Sequence, residues 1–169
     1  MDLYFTLDPA TDARVVAFLQ EHLDDMYRIS PPESVHALDV TQLRQPGIRF
    51  WTTWLSEDDG DKNLRLVGTC ALKDLEPGHA ELKSMRVSAG LRGKGIAQQV
   101  LDHALAQAQA SGVQRISLET GTEAFFAPAR QFYARNGFVL CEPFGSYALD
   151  PNSCFMTREI ALAAQAEPA

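Results

Sequence analysis

The chain has 169 residues, a net charge of −7, 46% hydrophobic and 22% charged residues, which is typical of one ordinary globular domain. The acidic charge argues against a nucleic-acid partner, because neutralising phosphate requires a surplus of Lys and Arg. No apolar run approaches the roughly 20 residues of a membrane span, and the N-terminus lacks a signal-peptide pattern. Three cysteines without CxxC spacing fit reduced thiols, so we expect a cytoplasmic domain with no membrane partner.

The first half of the chain predicts mainly strands, with two helices near the start. Asp8 and Pro9 offer an N-cap and a first-turn proline for the first helix, and Pro31 ends it. The acidic segment at 57–63 predicts a hairpin turn, because its potential calcium-ligand pattern stops after Gly60. The predicted elements are a strand at 3–7, helices at 9–27 and 35–44, and strands at 48–55, 64–75 and 80–87.

The second half of the chain alternates helices with strands. Apolar residues at helical spacing predict a helix at 96–110, and Pro128 opens another helix that ends at Asn136–Gly137. Further strands are predicted at 115–120, 138–142 and 154–160, followed by a loose tail at 161–169. The element order predicts a three-layer α/β fold with a mixed sheet, in which 80–120 forms a right-handed β-α-β unit.

A glycine-containing loop, LRGKGIA at 91–97, precedes the predicted helix and has the character of an anion-binding loop. The nucleoside-triphosphate pattern fails, because Gly95 follows Lys94 where a Ser or Thr would hold magnesium. The dinucleotide pattern is weakened, because Gln98 stands at the third glycine and five residues separate the strand end from Gly93. A third possibility is a pyrophosphate that belongs to an acyl carrier.

Two segments carry a family resemblance. The motif R/Q-x-x-G-x-G/A is complete at 92–97 after ELKSMRV at 81–87, and ARQFYARNGF at 129–138 places a helical tyrosine before x-x-x-Gly-Phe. Together they resemble the GNAT superfamily of acetyl-CoA-dependent N-acetyltransferases. The segment FGSYALDPNSCFM at 144–156 is similar to a subset of bacterial, small-molecule-type members. The resemblance implies a single GNAT domain over 1–160, with a twisted sheet of about seven strands flanked by about four helices.

The resemblance also implies where acetyl-CoA, the acetyl donor, would bind. Loop amides would surround the pyrophosphate, and the backbone of the preceding strand would pair with the pantetheine arm. Many members carry Asn seven residues before the tyrosine, where this chain has Phe126, so that contact is lost, moved or replaced by packing. The implied donor-binding residues are Met85, Arg86, Val87, Arg92, Gly93, Lys94, Gly95, Ile96, Ala97 and Phe126.

Two residues match the family's catalytic positions. Glu81 would be the general base, which the reaction needs because an alkylammonium with a pKa of about 10 cannot attack while protonated. Tyr133 would donate a proton or a hydrogen bond to the departing thiolate. Strand alternation predicts Glu81, Lys83 and Met85 on one face, so Lys83 would also face the site.

The acceptor completes the prediction. We expect direct attack by a primary amine of an amino-acid-like or polyamine-like small molecule in a ternary complex. The alternatives are a protein or peptide acetyltransferase and a non-catalytic acyl-CoA-binding module. The histidines show no metal spacing, so we expect no metal, and the resemblance allows a homodimer. Candidate acceptor residues are Lys83, Glu119, Arg28 and Arg49.

Overall fold

A computed structural model describes residues 2–56, 63–91 and 93–161. Residues 57–62 of the turn predicted at 57–63, Arg92 and the tail from 162 onward lie outside the described residues. Within them, the elements are β1 Asp2–Leu7, α1 Ala13–Ile29, α2 Val40–Leu43, β2 Ile48–Ser56, β3 Leu64–Glu76, β4 His79–Val87, α3 Ile96–Ala110, β5 Arg115–Gly121, α4 Ala127–Arg135, β6 Val139–Leu140 and β7 Ser153–Glu159.

The seven strands form one sheet in the order β1-β2-β3-β4-β5-β7-β6. Only β4 and β5, which flank α3, run parallel, and the other neighbours are antiparallel. A parallel pair needs a crossover, and α3 supplies it. The predicted mixed sheet of about seven strands with four helices is therefore confirmed. No helix in the described part of the chain is both long and apolar enough to cross a membrane.

Helices cover both faces of the sheet, which makes the three layers. On one face α3 and α4 pack on a core that includes Trp51, Leu82 and Tyr133. On the other face α1 and α2 pack on a smaller core around Phe50 and Trp54. The two tryptophans lie three residues apart on β2, so period-two alternation sends them to opposite faces. Both are buried in the core, at 5% and 8% exposure.

The first helix begins later than the prediction from Asp8 and Pro9. The Asp8 carboxylate instead accepts hydrogen bonds from the Ala10 amide at 2.7 Å and from the Thr52 hydroxyl at 2.9 Å. Ala10 adopts a left-handed φ of 58°, which turns the chain before the helix. Asp12 is the N-cap and accepts from the Arg14 amide at 2.8 Å.

Two other predicted elements are much shorter in the structure. Of the helix predicted at 35–44 only α2 forms, because the capping box of Asp39 and Gln42 starts a helix there and no earlier residue does. The strand predicted at 138–142 pairs with β7 only at Val139–Leu140, at the edge of the sheet. Residues 35–39 and the chain after β6 are thus free to form loops over the sheet.

Candidate active site

A cleft opens where the two parallel strands part. β4 and β5 pair only from His79–Arg115 to Glu81–Ser117, and beyond that point the two strands share no further pairing. The cleft has a volume of about 710 Å³. Its wall on one side is the second half of β4, whose backbone edge toward β5 is left without a strand partner among the described residues. Such an edge can hydrogen-bond an extended ligand.

A bulge in β4 changes which side chains face each side of the sheet. Ser84 has a left-handed φ of 52°, and the register with β3 shifts between Thr69 and Ala71. The predicted alternation of Glu81, Lys83 and Met85 on one face is therefore wrong for Met85, which packs against the α3 side. Because the bulge inserts one residue, Arg86 takes the α1 side, where its guanidinium pairs with Glu21 at 3.1 Å.

The glycine loop forms one end of the cleft, which we call the glycine-loop end. Gly93 and Gly95 have φ values of 79° and 76°, so both positions need the left-handed conformation that glycine adopts without strain. The amides of Ile96 and Ala97 lie in the first turn of α3, so they have no intrahelical partners. The N-cap is Gly95, which has no side chain that could accept from them. Lys94 is exposed beside them. This arrangement suits an anion.

Tyr133 also lines the cleft, on the α4 side. Its ring is buried between Phe132 and Phe138. Burial, reinforced by the nearby Cys70 thiol, raises the pKa of Tyr133 far above its usual value, so the phenol keeps its proton. No group in the described part of the chain hydrogen-bonds the hydroxyl, which leaves it able to donate to a ligand in the cleft.

Glu81 and Lys83 lie in the opposite end of the cleft, and Tyr147 contacts both. Lys83 Nζ lies 3.1 Å from Glu81 Oε2, and the exposed fractions of the two side chains are only 8% and 3%. The Tyr147 hydroxyl donates to the same Glu81 oxygen at 2.5 Å and accepts from Lys83 Nζ at 2.8 Å. Burial and the Glu81 charge raise the pKa of Tyr147, so this phenol also stays protonated.

Tyr147 arrives from the long loop between β6 and β7, which the sequence interpretation did not assign to the site. Its ring packs on Phe144 and Phe155 at centroid distances of 5.1 and 5.4 Å. The available sequence signal was the Gly-x-Tyr of the segment at 144–156. That likeness does not predict the partners of Tyr147. They are the buried charges of Lys83 and Glu81, which lie 64 and 66 residues earlier in the chain.

This same loop is tied to the segment that follows α1. Ser34 Oγ donates to Asp150 at 2.6 Å, and Asn152 Nδ2 lies 3.4 Å from Ser34 Oγ. The His36 ring meets the Tyr147 ring edge-on at 4.9 Å. These contacts join the two segments beside Glu81 and Lys83, whose side chains are almost fully covered. We call this covered part, formed by residues 30–37 and 141–152 with β4 and β5, the roofed end.

Glu119 of β5 lines the roofed end as a second carboxyl group. Burial raises its pKa to about 7, and the neighbouring Ser153 hydroxyl and Lys83 only partly oppose that shift. It forms no salt bridge with any residue of the described ranges. Glu119 therefore changes charge near neutral pH, which suits proton transfer.

The structure separates the remaining candidates. Arg28 is 69% exposed and pairs with Asp25, and Arg49 lies outside the cleft, where it donates to Ser111 at 3.1 Å and stacks on Trp51. Neither arginine therefore faces the roofed end. Phe126 does line the cleft, and its ring lies directly on the Gly121 backbone, where a Cβ would be 2.1 Å from Phe126 Cδ2.

Comparison with known proteins agrees with this geometry. The model of the acetyltransferase (GNAT) family matches residues 15–138. The chain is 47% identical to an uncharacterised N-acetyltransferase, YsnE, of Bacillus subtilis, over 94% of this chain and 100% of the relative. It is 44% identical to an uncharacterised N-acetyltransferase, YedL, of Escherichia coli, over 89% of this chain and 90% of that protein.

Among solved structures, a proposed acyl-CoA N-acyltransferase from Klebsiella pneumoniae superposes with a TM-score of 0.74 at 25% identity. The match covers 94% of this chain and 98% of that structure. The sequence matches and the superposition thus indicate the same family. They agree with three features of the site: the parted parallel strands, the glycine loop before α3 and the buried tyrosine of α4. The protein belongs to the GNAT acetyltransferase family and is an acetyl-CoA-dependent N-acyltransferase.

Proposed function

We propose that the enzyme transfers the acetyl group of acetyl-CoA to a primary amine of a small, cationic, polyamine-like molecule, by direct attack in a ternary complex. The observation that carries this proposal is the roofed end of the cleft. The bond from Ser34 to Asp150 and the contact of His36 with Tyr147 close the space above Glu81. A closed space of this kind favours a small acceptor over a peptide chain, which needs an open groove.

The charges at the roofed end favour a cationic acceptor. Arg28 and Arg49, the cationic candidates outside β4, do not face it, and the Lys83 ammonium is paired with Glu81. Burial and the charge of Lys83 lower the pKa of His36, so this imidazole stays neutral at pH 7. Asp150, whose pKa is lowered by the Ser34 hydroxyl, and Glu119 in its ionised form then leave an acidic surplus, which attracts a protonated amine and repels a carboxylate.

The glycine-loop end supports the donor part of the proposal. The free amides of Ile96 and Ala97 at the start of α3 suit the pyrophosphate of acetyl-CoA. The unpaired edge of β4 from Met85 to Val87 suits the amide groups of the pantetheine arm. The thioester then lies at the point where β4 and β5 part, and Tyr133 faces the departing sulfur and donates a hydrogen bond to it.

A thiol-release assay with acetyl-CoA tests the proposal against its rivals. The panel contains spermidine and putrescine, the amino acids lysine and glutamate, and a short lysine-containing peptide. We expect the polyamines to exceed the amino acids in kcat/KM by about tenfold or more, which corresponds to about 1.4 kcal/mol. A highest kcat/KM with the peptide would support a protein acetyltransferase, and acetyl-CoA binding without thiol release would support a binding module. Either result contradicts the proposed function.

A further inference from the structure

Two carboxyl groups lie on the same face of the sheet, beside the point where β4 and β5 part. Glu81 is opposite Ser117 in the last pair of the parallel ladder. Glu119 is two residues farther along β5, so period-two alternation places it on the same face as Ser117 and Glu81. Both carboxyl groups line the cleft. Either group is therefore within the roofed end that receives the acceptor.

The Glu81 carboxylate already has two partners. Lys83 Nζ and the Tyr147 hydroxyl both donate to Oε2, at 3.1 and 2.5 Å. Hydrogen bonds to an ionised carboxylate are about twice as strong as neutral ones, and breaking one member of a buried ion pair is costly. A proton placed on Glu81 would leave the buried Lys83 ammonium without its counter-charge. Glu81 is therefore a poor proton acceptor in this arrangement.

The Glu119 carboxyl has the opposite surroundings. It is partly buried, has no salt bridge within the described residues, and changes charge at a pKa of about 7. Taking up a proton there separates no ion pair. The charged and titratable groups that face it come from β4, from the loop before β7 and from β7 itself; they are Lys83, Glu81, Tyr147, Asp150 and Cys154.

We propose that Glu119 is the catalytic residue that accepts the proton of the acceptor ammonium group, and that Glu81 is a positioning residue that holds Lys83 and Tyr147 in place. This assignment rests on the proposed function, because it names the base of that same reaction. It also replaces Glu81, the general base expected from the sequence, by a residue that the sequence offered only as an acceptor contact.

The proton balance of the reaction follows from this assignment. The ammonium group first transfers one proton to the Glu119 carboxylate and becomes a neutral amine, and Glu119 later releases this proton to solvent. The amine nitrogen then attacks the thioester carbon, a C–N bond forms and the C–S bond breaks. The nitrogen loses its second proton, and the CoA sulfur gains one with the Tyr133 hydroxyl as its hydrogen-bond donor. The products are the acetamide, free CoA thiol and one proton.

The test compares Glu119→Gln with the matched variant Glu81→Gln in the full-length enzyme. The pH dependence of kcat/KM is measured with acetyl-CoA and the panel amine that gives the fastest thiol release. We expect Glu119→Gln to lower kcat/KM by about 10²- to 10⁴-fold and to abolish the rise of activity near pH 7. Glu81→Gln should keep this rise and move it to lower pH, because it removes a negative neighbour of Glu119.

A carboxyl titration measured by ¹³C NMR adds a readout that does not depend on the acceptor. The resonance that is missing in Glu119→Gln should titrate near pH 7 in the wild-type enzyme. Unchanged acetyl-CoA affinity, measured by calorimetry, shows that the variant is folded. A rise near pH 7 that survives in Glu119→Gln, or is lost in Glu81→Gln, overturns the assignment. Absence of thiol release by the wild-type enzyme with every amine refutes the proposed function instead.

Discussion

The two ends of the cleft are built by different physical means. The glycine-loop end consists of backbone: left-handed glycines, the free amides of α3 and an unpaired strand edge, all within residues 85–97. The roofed end consists of side chains from distant parts of the chain, such as the bond between Ser34 and Asp150, which spans 116 residues. We infer that backbone groups bind the acetyl-CoA donor, which is the same in every turnover, whereas side chains at the other end determine which acceptor fits.

Tyr133 lines the cleft on the α4 side, and among the variants that compare the two ends its loss should have the largest effect. Tyr133→Phe removes the phenol that we propose donates to the leaving sulfur, so we expect kcat to fall by about 10²-fold with the KM for acetyl-CoA unchanged. Steady-state thiol release measures both constants. Tyr27→Phe is the matched control, because Tyr27 is 56% exposed and should leave both constants unchanged. An unchanged kcat in Tyr133→Phe would contradict the assigned role.

Loss of the Ser34 hydroxyl should weaken acceptor binding at the roofed end and leave acetyl-CoA binding unchanged. Ser34→Ala removes the 2.6 Å bond to Asp150, and hydrogen bonds to charged groups contribute about 1.5–3 kcal/mol. We expect the KM for the acceptor to rise about tenfold while the KM for acetyl-CoA stays constant. Initial rates with each substrate varied in turn provide both values.

Ser111→Ala is the control for this prediction, because the Ser111 hydroxyl bonds Arg49 at a surface outside the cleft. It should change neither constant. Equal changes in both KM values for Ser34→Ala would show that the two ends are not independent.

The glycine-loop end should show the reverse selectivity. Gly95→Ala forces an alanine into a left-handed conformation, which costs about 1–2 kcal/mol, so we expect a rise of several-fold in the KM for acetyl-CoA and none for the acceptor. Gly112→Ala is the matched control, with a φ of 83° and, as at Gly95, no atom within 4 Å of an added Cβ. Thermal unfolding should show a similar loss of stability in both variants. A KM effect that is equal in both would contradict a role for this loop in donor binding.

The smallest expected effect is on stability and depends on pH. Because the pKa of Glu119 is raised to about 7 by burial, the folded state binds more protons than the unfolded state between about pH 4.5 and 7. The stabilisation that comes from the raised pKa of Glu119 is complete below pH 4.5 and is lost as pH rises to 7. Glu119→Gln abolishes this loss, so its melting temperature relative to the wild type should be a few degrees higher at pH 8 than at pH 4.5. A difference that does not vary with pH would mean that Glu119 is not buried as described.

Local patterns were enough to predict the parts of the site that lie close together in sequence. The glycine loop, the helix after it and the tyrosine before Asn136–Gly137 are recognisable because each depends on neighbours within about ten residues. The order of strands and helices followed for the same reason. The predicted start of α1 was wrong, because the Asp8 carboxylate accepts a hydrogen bond from Thr52, 44 residues away, and Asp12 is the N-cap instead.

The amino-acid sequence by itself determined the family, the acetyl donor and the positions of the glycine loop and Tyr133, since these are read from short stretches with fixed local geometry. Only the tertiary structure decided the partners of Glu81 and the raised pKa of Glu119. Tyr147 reaches Glu81 through a loop whose path depends on aromatic packing, and the Ser84 bulge moves the Met85 side chain to the α3 face of the sheet, away from Glu81 and Lys83. Burial and long-range contacts determine the charge of the groups at the roofed end, and neither can be read from the sequence next to the residue.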